Sequence, residues 1–365
     1  MHYLDANATE PLRPLARDAM LAALDIVGNP SSVHTAGRAA RRVMEDAREQ
    51  LAARFGSRPG ELVFTSGGTE ADALAVHALG HGRCVLIGAT EHDAIRAAAP
   101  DATVIPVLRT GVIDLDALAM QLAASGPALV CLMLANNETG TIQPIAEAAR
   151  VCRAHGALLH VDAVQAAGRM PVDMTVLGAH SLAISSHKLG GPIGAGALVL
   201  APDLSAILPL IRGGGQERGR RGGTPPVATI AGFAAAASVP AEASPLAALR
   251  DAAESRAIAS GAIPIGVDAP RLGNTTCLAL PGVRADRQVI AMDLAGVMIS
   301  AGAACSSGKV GDSHVLAAMG LRALAGQAIR VSLPWNATEA DIDAFGTAYA
   351  RMADRMRAGL VPHAA

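Results

Sequence analysis

Aromatic side chains are nearly absent from this 365-residue chain: one Trp, two Tyr and four Phe amount to 2% of it. Its cores must therefore be built from Ala, Val, Leu and Ile with close backbone packing, because 51% of the residues are apolar. A charge excess is missing too. The formal net charge of −2 gives no electrostatic reason to expect nucleic acid or an anionic membrane as partner. No apolar run approaches the ~20 uncharged residues of a membrane span. The opening residues MHYLDANATEPLRP lack the basic start and apolar core of a secretion signal, so a cytoplasmic location is expected. Five cysteines, an odd number without paired spacing, suggest neither a disulfide framework nor a zinc site. No metal is expected.

What the composition contains fits a soluble α/β protein. Residues 11–26 and 35–55 read as helices on either side of the turn-rich VGNPSSVHTAG. Apolar strands at 61–65, 83–88, 103–108, 128–134, 157–162, 181–186 and 197–201 then alternate with amphipathic helices. Such alternation predicts a mostly parallel, seven-stranded sheet covered on both faces. We expect a large domain over residues 12–238, closed by the Pro/Ala/Ser stretch SVPAEASPLAAL. A smaller α+β domain is expected from residues 239–365 with residues 1–11, the first helices contributing to it. Its helices are read near 246–259, 285–296, 313–319 and from 338 onward, and its strands at 274–280, 297–300 and 328–333.

Cys84, Cys131 and Cys277 lie in apolar runs and read as buried strand residues, and Cys152 lies in a helical pattern. Cys305 differs. AGAACSSGK surrounds it with small and polar residues, which is loop chemistry, and Lys309 adds positive charge that favours a thiolate. An inert surface cysteine would have the same setting. Asp312 or Ser313 is available to cap the helix that follows.

Ligands of open α/β sheets bind beyond the carboxyl ends of the strands, where this chain places SGGTE, TEHD, NNETG, VDAVQ and SSHK. SGGTEAD (66–72) joins a strand to a helix through two glycines, so its amides and helix dipole suit a phosphate, with the Thr69 hydroxyl beside them. A plain βα turn has the same outline. Asp162 directly follows a strand, where a carboxylate can pair with a protonated pyridine nitrogen or merely cap a helix. Gln165, one turn on, can hydrogen-bond a phenolic oxygen. SSHKLGGPIGAGAL places Lys188 among small, apolar neighbours, where desolvation lowers the amine pKa and helps a Schiff base form; an exposed turn lysine is the bland alternative. GGGQERGRRGGT (213–224) is basic and Gly-rich, but without aromatics it reads better as a flexible loop at a subunit interface than as a nucleic-acid contact.

In order, YLDANAT, GNPSSVH, FTSGGTEAD, TEHDA, NNETG, HVDAVQ, SSHK, GGGQERGRRGGT, SAGAACSS and IRVSLP resemble the cysteine desulfurase family. That family belongs to the class V aminotransferase-like group of fold-type I pyridoxal-phosphate enzymes, and the likeness runs from residue 3 to about 345. The resemblance implies that Lys188 carries pyridoxal 5′-phosphate, that Asp162 faces its ring nitrogen and Gln165 its phenolic oxygen, and that His92 is a catalytic residue that stacks on the ring and shuttles protons. Gly68, Thr69, Ser185 and His187 would hold the phosphate. Thr224 would reach the phosphate of a second subunit, which implies a homodimer. Asn137 and Arg330 would hold the substrate carboxylate. Lys188 would move the α-proton of L-cysteine, and Cys305 would take its sulfur as a persulfide for an acceptor protein, an iron–sulfur scaffold or a sulfur carrier.

The chain departs from the family pattern at Ser186, Glu10, Pro334 and in a shortened stretch at 239–275. Another pyridoxal carbon–sulfur or carbon–selenium lyase, such as a selenocysteine lyase, would share every cofactor residue. A non-catalytic dimeric scaffold is an alternative of a different class.

Overall fold

The computed structural model describes residues 1–204, 206–240, 246–302 and 311–358. A short strand, β1 (His2–Tyr3), precedes helices α1 (Pro14–Leu24) and α2 (Thr35–Arg54). Alternation follows: β2 (Leu62–Thr65), α3 (Gly68–Leu79), β3 (Cys84–Gly88), α4 (Asp93–Ala98), β4 (Thr103–Ile105), α5 (Leu115–Ala124), β5 (Ala128–Met133). It continues through α6 (Ile145–Ala154), β6 (Leu158–Asp162), α7 (Met174–Leu177), β7 (Ser181–Ser185), β8 (Gly196–Leu200) and α8 (Val227–Ala237).

These strands form one seven-stranded sheet in the order β2-β8-β7-β6-β5-β3-β4. Strands β3 to β7 pair in parallel, and β8 is antiparallel to both of its neighbours. Strands β5, β7 and β8 are buried at every residue, as a sheet with helices on both faces requires. The main core gathers Leu51, Phe55, Leu132, Val161, Leu182 and Phe233. The α/β reading of the sequence holds.

The rest of the chain supplies α9 (Leu246–Ala259), β9 (Ile263–Ile265), β10 (Thr275–Ala279), α10 (Ala285–Leu294), β11 (Val297–Met298) and β12 (Ser300–Ala301). It ends in α11 (His314–Ala318), β13 (Ala328–Ser332) and α12 (Glu339–Ala358). A four-stranded antiparallel sheet, β12-β13-β10-β9, and the parallel pair β1-β11 cover a second core of Leu4, Leu278, Met292, Ile329, Phe345 and Tyr349.

Four expectations need correction. The first helices do not join the second core: α1 and α2 pack on α8. The buried positions Ala40, Met44, Ala47 and Leu51 make one face of α2, and that stripe points into the main core. Strand β4 stops at Ile105 because Pro106 has no N–H for the ladder. The strand read at 297–300 is two strands, β11 pairing with β1 and β12 with β13. Cys84 is exposed, since it opens β3 before the chain enters the core. Strands β1 and β9 and helix α7 had no clear sequence signal.

Side chains fix the helix starts. Asp114 accepts from the Ala117 N–H at 2.9 Å to cap α5, and Ser313, not Asp312, caps α11 by accepting from Leu316 N at 3.0 Å. Among the described residues no helix is long and apolar enough to cross a membrane.

Candidate active site

A cavity of ≈ 160 Å³ opens beyond the carboxyl ends of β5, β6 and β7, against the first turn of α3. Gly68 and Thr69 line one end of it, with Ser185 and His187. The turn beneath them is held by Ser66, whose N–H and hydroxyl both donate to Glu70 at 2.7 and 2.6 Å. Glu70 is paired in turn with Arg221 at 2.8 Å. Burial resists its ionisation, yet the bonds from Arg221 and Ser66 together hold its pKa below the usual value. Close backbone contact is essential here. A Cβ on Gly196 of β8 would lie 2.6 Å from the Gly67 carbonyl carbon.

Asp162 ends β6 and faces the same cavity. Its Oδ1 accepts the Val164 N–H at 2.8 Å, so the turn-capping role read from the sequence is met by one oxygen alone. Burial first, then the neighbouring Asp72, push its pKa up to about 7. Behind it, Asp72 Oδ1 lies 3.1 Å from His160 Nε2, and His160 Nδ1 lies 2.8 Å from Ser181 Oγ. Burial raises Asp72 to about 8 and lowers His160 to about 4. Burial thus favours the uncharged form of each partner, the acid protonated and the imidazole neutral. Glu91, fully buried, is also pushed well up by burial.

Lys188 follows β7 in a short 3₁₀ turn. Its Nζ donates to the carbonyls of Asn7 at 2.5 Å and Ala8 at 3.0 Å. His187 Nδ1 lies 2.6 Å from Thr9 Oγ1, and burial, with the charges of Lys188 and Arg169, lowers its pKa to about 4. His92 lines the cavity and accepts the Ala94 N–H on Nδ1 at 3.1 Å, which caps α4. Gln165 and Asn137 complete the wall.

The structure thus brings nine of the expected positions to one cavity. Three others stand apart. Arg330 is buried beside it rather than in its lining, donating to Asp5 at 2.6 Å and to the Asn137 carbonyl at 3.1 Å. Thr224 is exposed and lies outside this chain's cavity. Cys305 and Lys309 lie outside the described residues. Sequence reasoning had given no role to Asp72, one helical turn after Thr69, or to Asn7, whose amide donates to Thr275 at 3.0 Å and to the Asn137 carbonyl at 3.1 Å. Each lay inside a motif already noted, SGGTEAD and YLDANAT, and that was the only available signal.

This donor set fits pyridoxal phosphate. A helix N-terminus with hydroxyl and imidazole donors suits a phosphate. A buried carboxylate whose ionisation is held back by burial is completed by a cationic ring nitrogen. Lys188 lines the same cavity.

The family model described as aminotransferase class-V matches residues 2–345. This chain belongs to the class-V aminotransferase family. A class-V relative from Mycobacterium tuberculosis (strain ATCC 25618 / H37Rv), named IscS-like cysteine desulfurase, is 39% identical over 370 residues, 94% of each chain. A cysteine desulfurase from Cereibacter sphaeroides is 39% identical over 377 residues, covering 98% of this chain and 96% of the relative. The solved NifS-like protein from Rickettsia africae ESF-5 superposes with a TM-score of 0.91 at 34% identity, over 97% of this chain and 99% of the other. The mostly parallel seven-stranded sheet is therefore the class-V architecture.

Proposed function

We propose that this class-V protein is a pyridoxal-phosphate-dependent cysteine desulfurase, which converts L-cysteine to L-alanine and passes the sulfur to Cys305 as a persulfide. The observation that carries this reading is the convergence of Lys188, Asp162 and the α3 N-terminus on one cavity. Relatives named cysteine desulfurase, matched over nearly the full length, support it.

When bound, pyridoxal phosphate supplies an electron sink that labilises bonds at the substrate α-carbon. Gly68, Thr69, Ser185 and His187 would hold its phosphate, His92 would stack on the ring, and Gln165 would donate to the phenolic oxygen. Asp162 would keep the ring-nitrogen proton in place. Arg330, already oriented by Asp5 and the Asn137 carbonyl, serves with Asn137 as the substrate carboxylate site. The Lys188 amine holds the α-proton at Nζ. The Cys305 thiolate attacks the substrate sulfur, so that an Sγ–S bond forms while the carbon–sulfur bond breaks. The electron pair of that bond stays with the β-carbon, which gains a proton on the way to alanine.

The exposed Thr224, on a loop tied to α3 through Arg221 and Glu70, supports a homodimer in which each subunit completes the other's phosphate site. The two separate cores support a division into 12–238 and 1–11 with 239–365. A cytoplasmic location and a protein acceptor, either an iron–sulfur scaffold or a sulfur carrier, complete the proposal. Visible absorbance, with alanine and sulfide release from L-cysteine, tests it in wild type, Lys188→Ala and Cys305→Ala. Lys188→Ala should lose both colour and turnover, and Cys305→Ala should keep the colour and lose sulfur transfer. Turnover intact in Cys305→Ala would refute the sulfur route.

A further inference from the structure

Two departures from the family pattern, Glu10 and the Pro334–Trp335 step after β13, turn out to be one structural unit. Glu10 is 6% exposed. Its Oε1 accepts the Trp335 backbone N–H at 2.7 Å, and its Oε2 accepts from Arg169 Nη2 at 3.2 Å. Trp335 Nε1 donates to the Pro11 carbonyl at 2.9 Å, and the Arg13 guanidinium lies over the indole, 5.1 Å from its centroid. The amino-terminal segment, the exit of β13 and the segment after Gln165 are thereby pinned together.

Arg169 is the centre of this unit. Its side chain is 7% exposed. Nη1 donates to Gln165 Oε1 at 2.5 Å and to the Gln165 carbonyl at 3.0 Å, and Nη2 also donates to the Ala6 carbonyl at 3.1 Å. With Oε1 occupied as acceptor, the Gln165 amide cannot flip without setting its NH₂ against the guanidinium, donor against donor. Gln165 Nε2 gives one N–H to the Asn7 carbonyl at 3.0 Å, and an amide nitrogen carries two. The second is available to the cavity that Gln165 lines.

We propose that Arg169 is a positioning residue for the reaction: it fixes the Gln165 amide with its nitrogen toward the phenolic oxygen of the cofactor, while Glu10, seated on Trp335, neutralises the Arg169 charge. This rests on the pyridoxal-phosphate reading above. Arg169, Arg13 and Glu10 line a neighbouring cavity of ≈ 280 Å³ that also reaches Lys188. The electrostatic surroundings of Lys188 are thus Arg169, Arg13 and Glu10 on that side, His187 next to it, and Asp162, Asp72 and His92 across the first cavity. Arg330 and Tyr3 act on Arg169 from beyond. Removing Glu10 leaves Arg169 buried without its carboxylate, and removing Arg169 leaves Glu10 with Arg13 alone as a nearby cation among the described residues, in each case close enough to Lys188 to change how readily positive charge is held there.

The test is a pH titration of the visible absorbance of the holoenzyme, with the cofactor dissociation constant measured alongside. Glu10→Gln leaves Arg169 uncompensated and should lower the absorbance midpoint by roughly one pH unit, the size expected for a unit charge on the order of 10 Å away at an effective dielectric of ~20. Arg169→Met leaves Glu10 uncompensated and frees the Gln165 amide, so both effects raise the midpoint. Arg169→Lys keeps the charge and loses the fork, so it should move the midpoint upward less than Arg169→Met. Combining Glu10→Gln with Arg169→Met should cancel the charge effect and leave only the smaller rise from Gln165. Glu10→Gln is isosteric and retains an acceptor for Trp335, so it carries the charge part of the test where Arg169→Met does not fold, and Arg169→Lys carries the positioning part. A coloured wild type whose midpoint is unmoved in Glu10→Gln overturns the charge role of the pair, one unmoved in Arg169→Lys overturns the positioning of Gln165, and either result leaves the cofactor reading intact. A wild type that acquires no colour with added cofactor overturns both.

Discussion

Asp72 Oδ1 and His160 Nε2 lie 3.1 Å apart at the back of the cofactor cavity, both fully enclosed, one from α3 and the other from β6. Burial moves the acid up to about 8 and the imidazole down to about 4. Burial thus favours the uncharged form of each partner, in which an Asp72 hydroxyl would donate to Nε2 and Nδ1–H to Ser181 Oγ. Asp162, raised to about 7 by burial and by Asp72, is the less strongly shifted of the two cavity carboxyls.

Substituting Asp72 separates this arrangement from an ion pair. Asp72→Asn keeps a donor for Nε2 and should leave stability nearly unchanged. Asp72→Ala strands a buried acceptor and should cost about 1–3 kcal/mol. Urea denaturation of both variants without cofactor checks this. Equal loss in the two variants would mean that Asp72 is ionised.

The cofactor-free protein should gain stability as pH falls from about 8. Asp72 and Asp162 have folded pKa values raised to about 8 and about 7, so the folded state holds protons that the unfolded state has released. That contribution is lost as pH rises through those values. His160 and His187, both lowered to about 4, act in the opposite direction below ~6.5, where the gain should level off. Melting curves across this range should show the slope, and Asp72→Asn should flatten it.

Much of this site was readable in the sequence because its residues sit next to strand ends. Lys188 follows β7, Asp162 ends β6, and Gly68 opens α3 directly after β2, so an apolar run pointed to each. The stabilising partners were not readable. Arg169 meets Glu10 across 159 residues, and Arg330 meets Asp5 across 325; no periodicity links positions that only the fold brings together. Glu10 and Pro334 each looked like an isolated departure until the structure showed Glu10 accepting the N–H of Trp335, the residue after Pro334. The split of 297–300 between two sheets was equally hidden, because four apolar or small residues do not record which edge they pair with.

The loop bearing Thr224 depends on a buried ion pair. Glu217 and Arg218 adopt left-handed φ values of 49° and 59° without being glycine, a strained geometry. Glu217 holds it by accepting from both Arg48 terminal nitrogens, at 2.8 and 2.7 Å, and from Phe64 N at 3.0 Å. Glu217→Ala should destabilise the protein by about 1–3 kcal/mol, because the buried Arg48 loses its two-pronged partner and keeps only Glu45 and the Leu62 carbonyl, each at 3.0 Å. Adding Arg48→Met should recover part of that loss. Denaturation of the two variants checks both statements.

Gly196→Ala should weaken cofactor binding more than it weakens the fold. The new methyl would press on the Gly67 backbone and displace the turn that presents Gly68 and Thr69. Equilibrium dialysis should show the cofactor dissociation constant raised at least about tenfold, the equivalent of 1.4 kcal/mol, with a smaller change in melting temperature.

The most direct measurement is borohydride reduction of the cofactor-loaded protein followed by peptide mapping. The account predicts one stable pyridoxyl label, on the Lys188 side chain. A label on any other residue, or none on a protein that binds the cofactor, would contradict it.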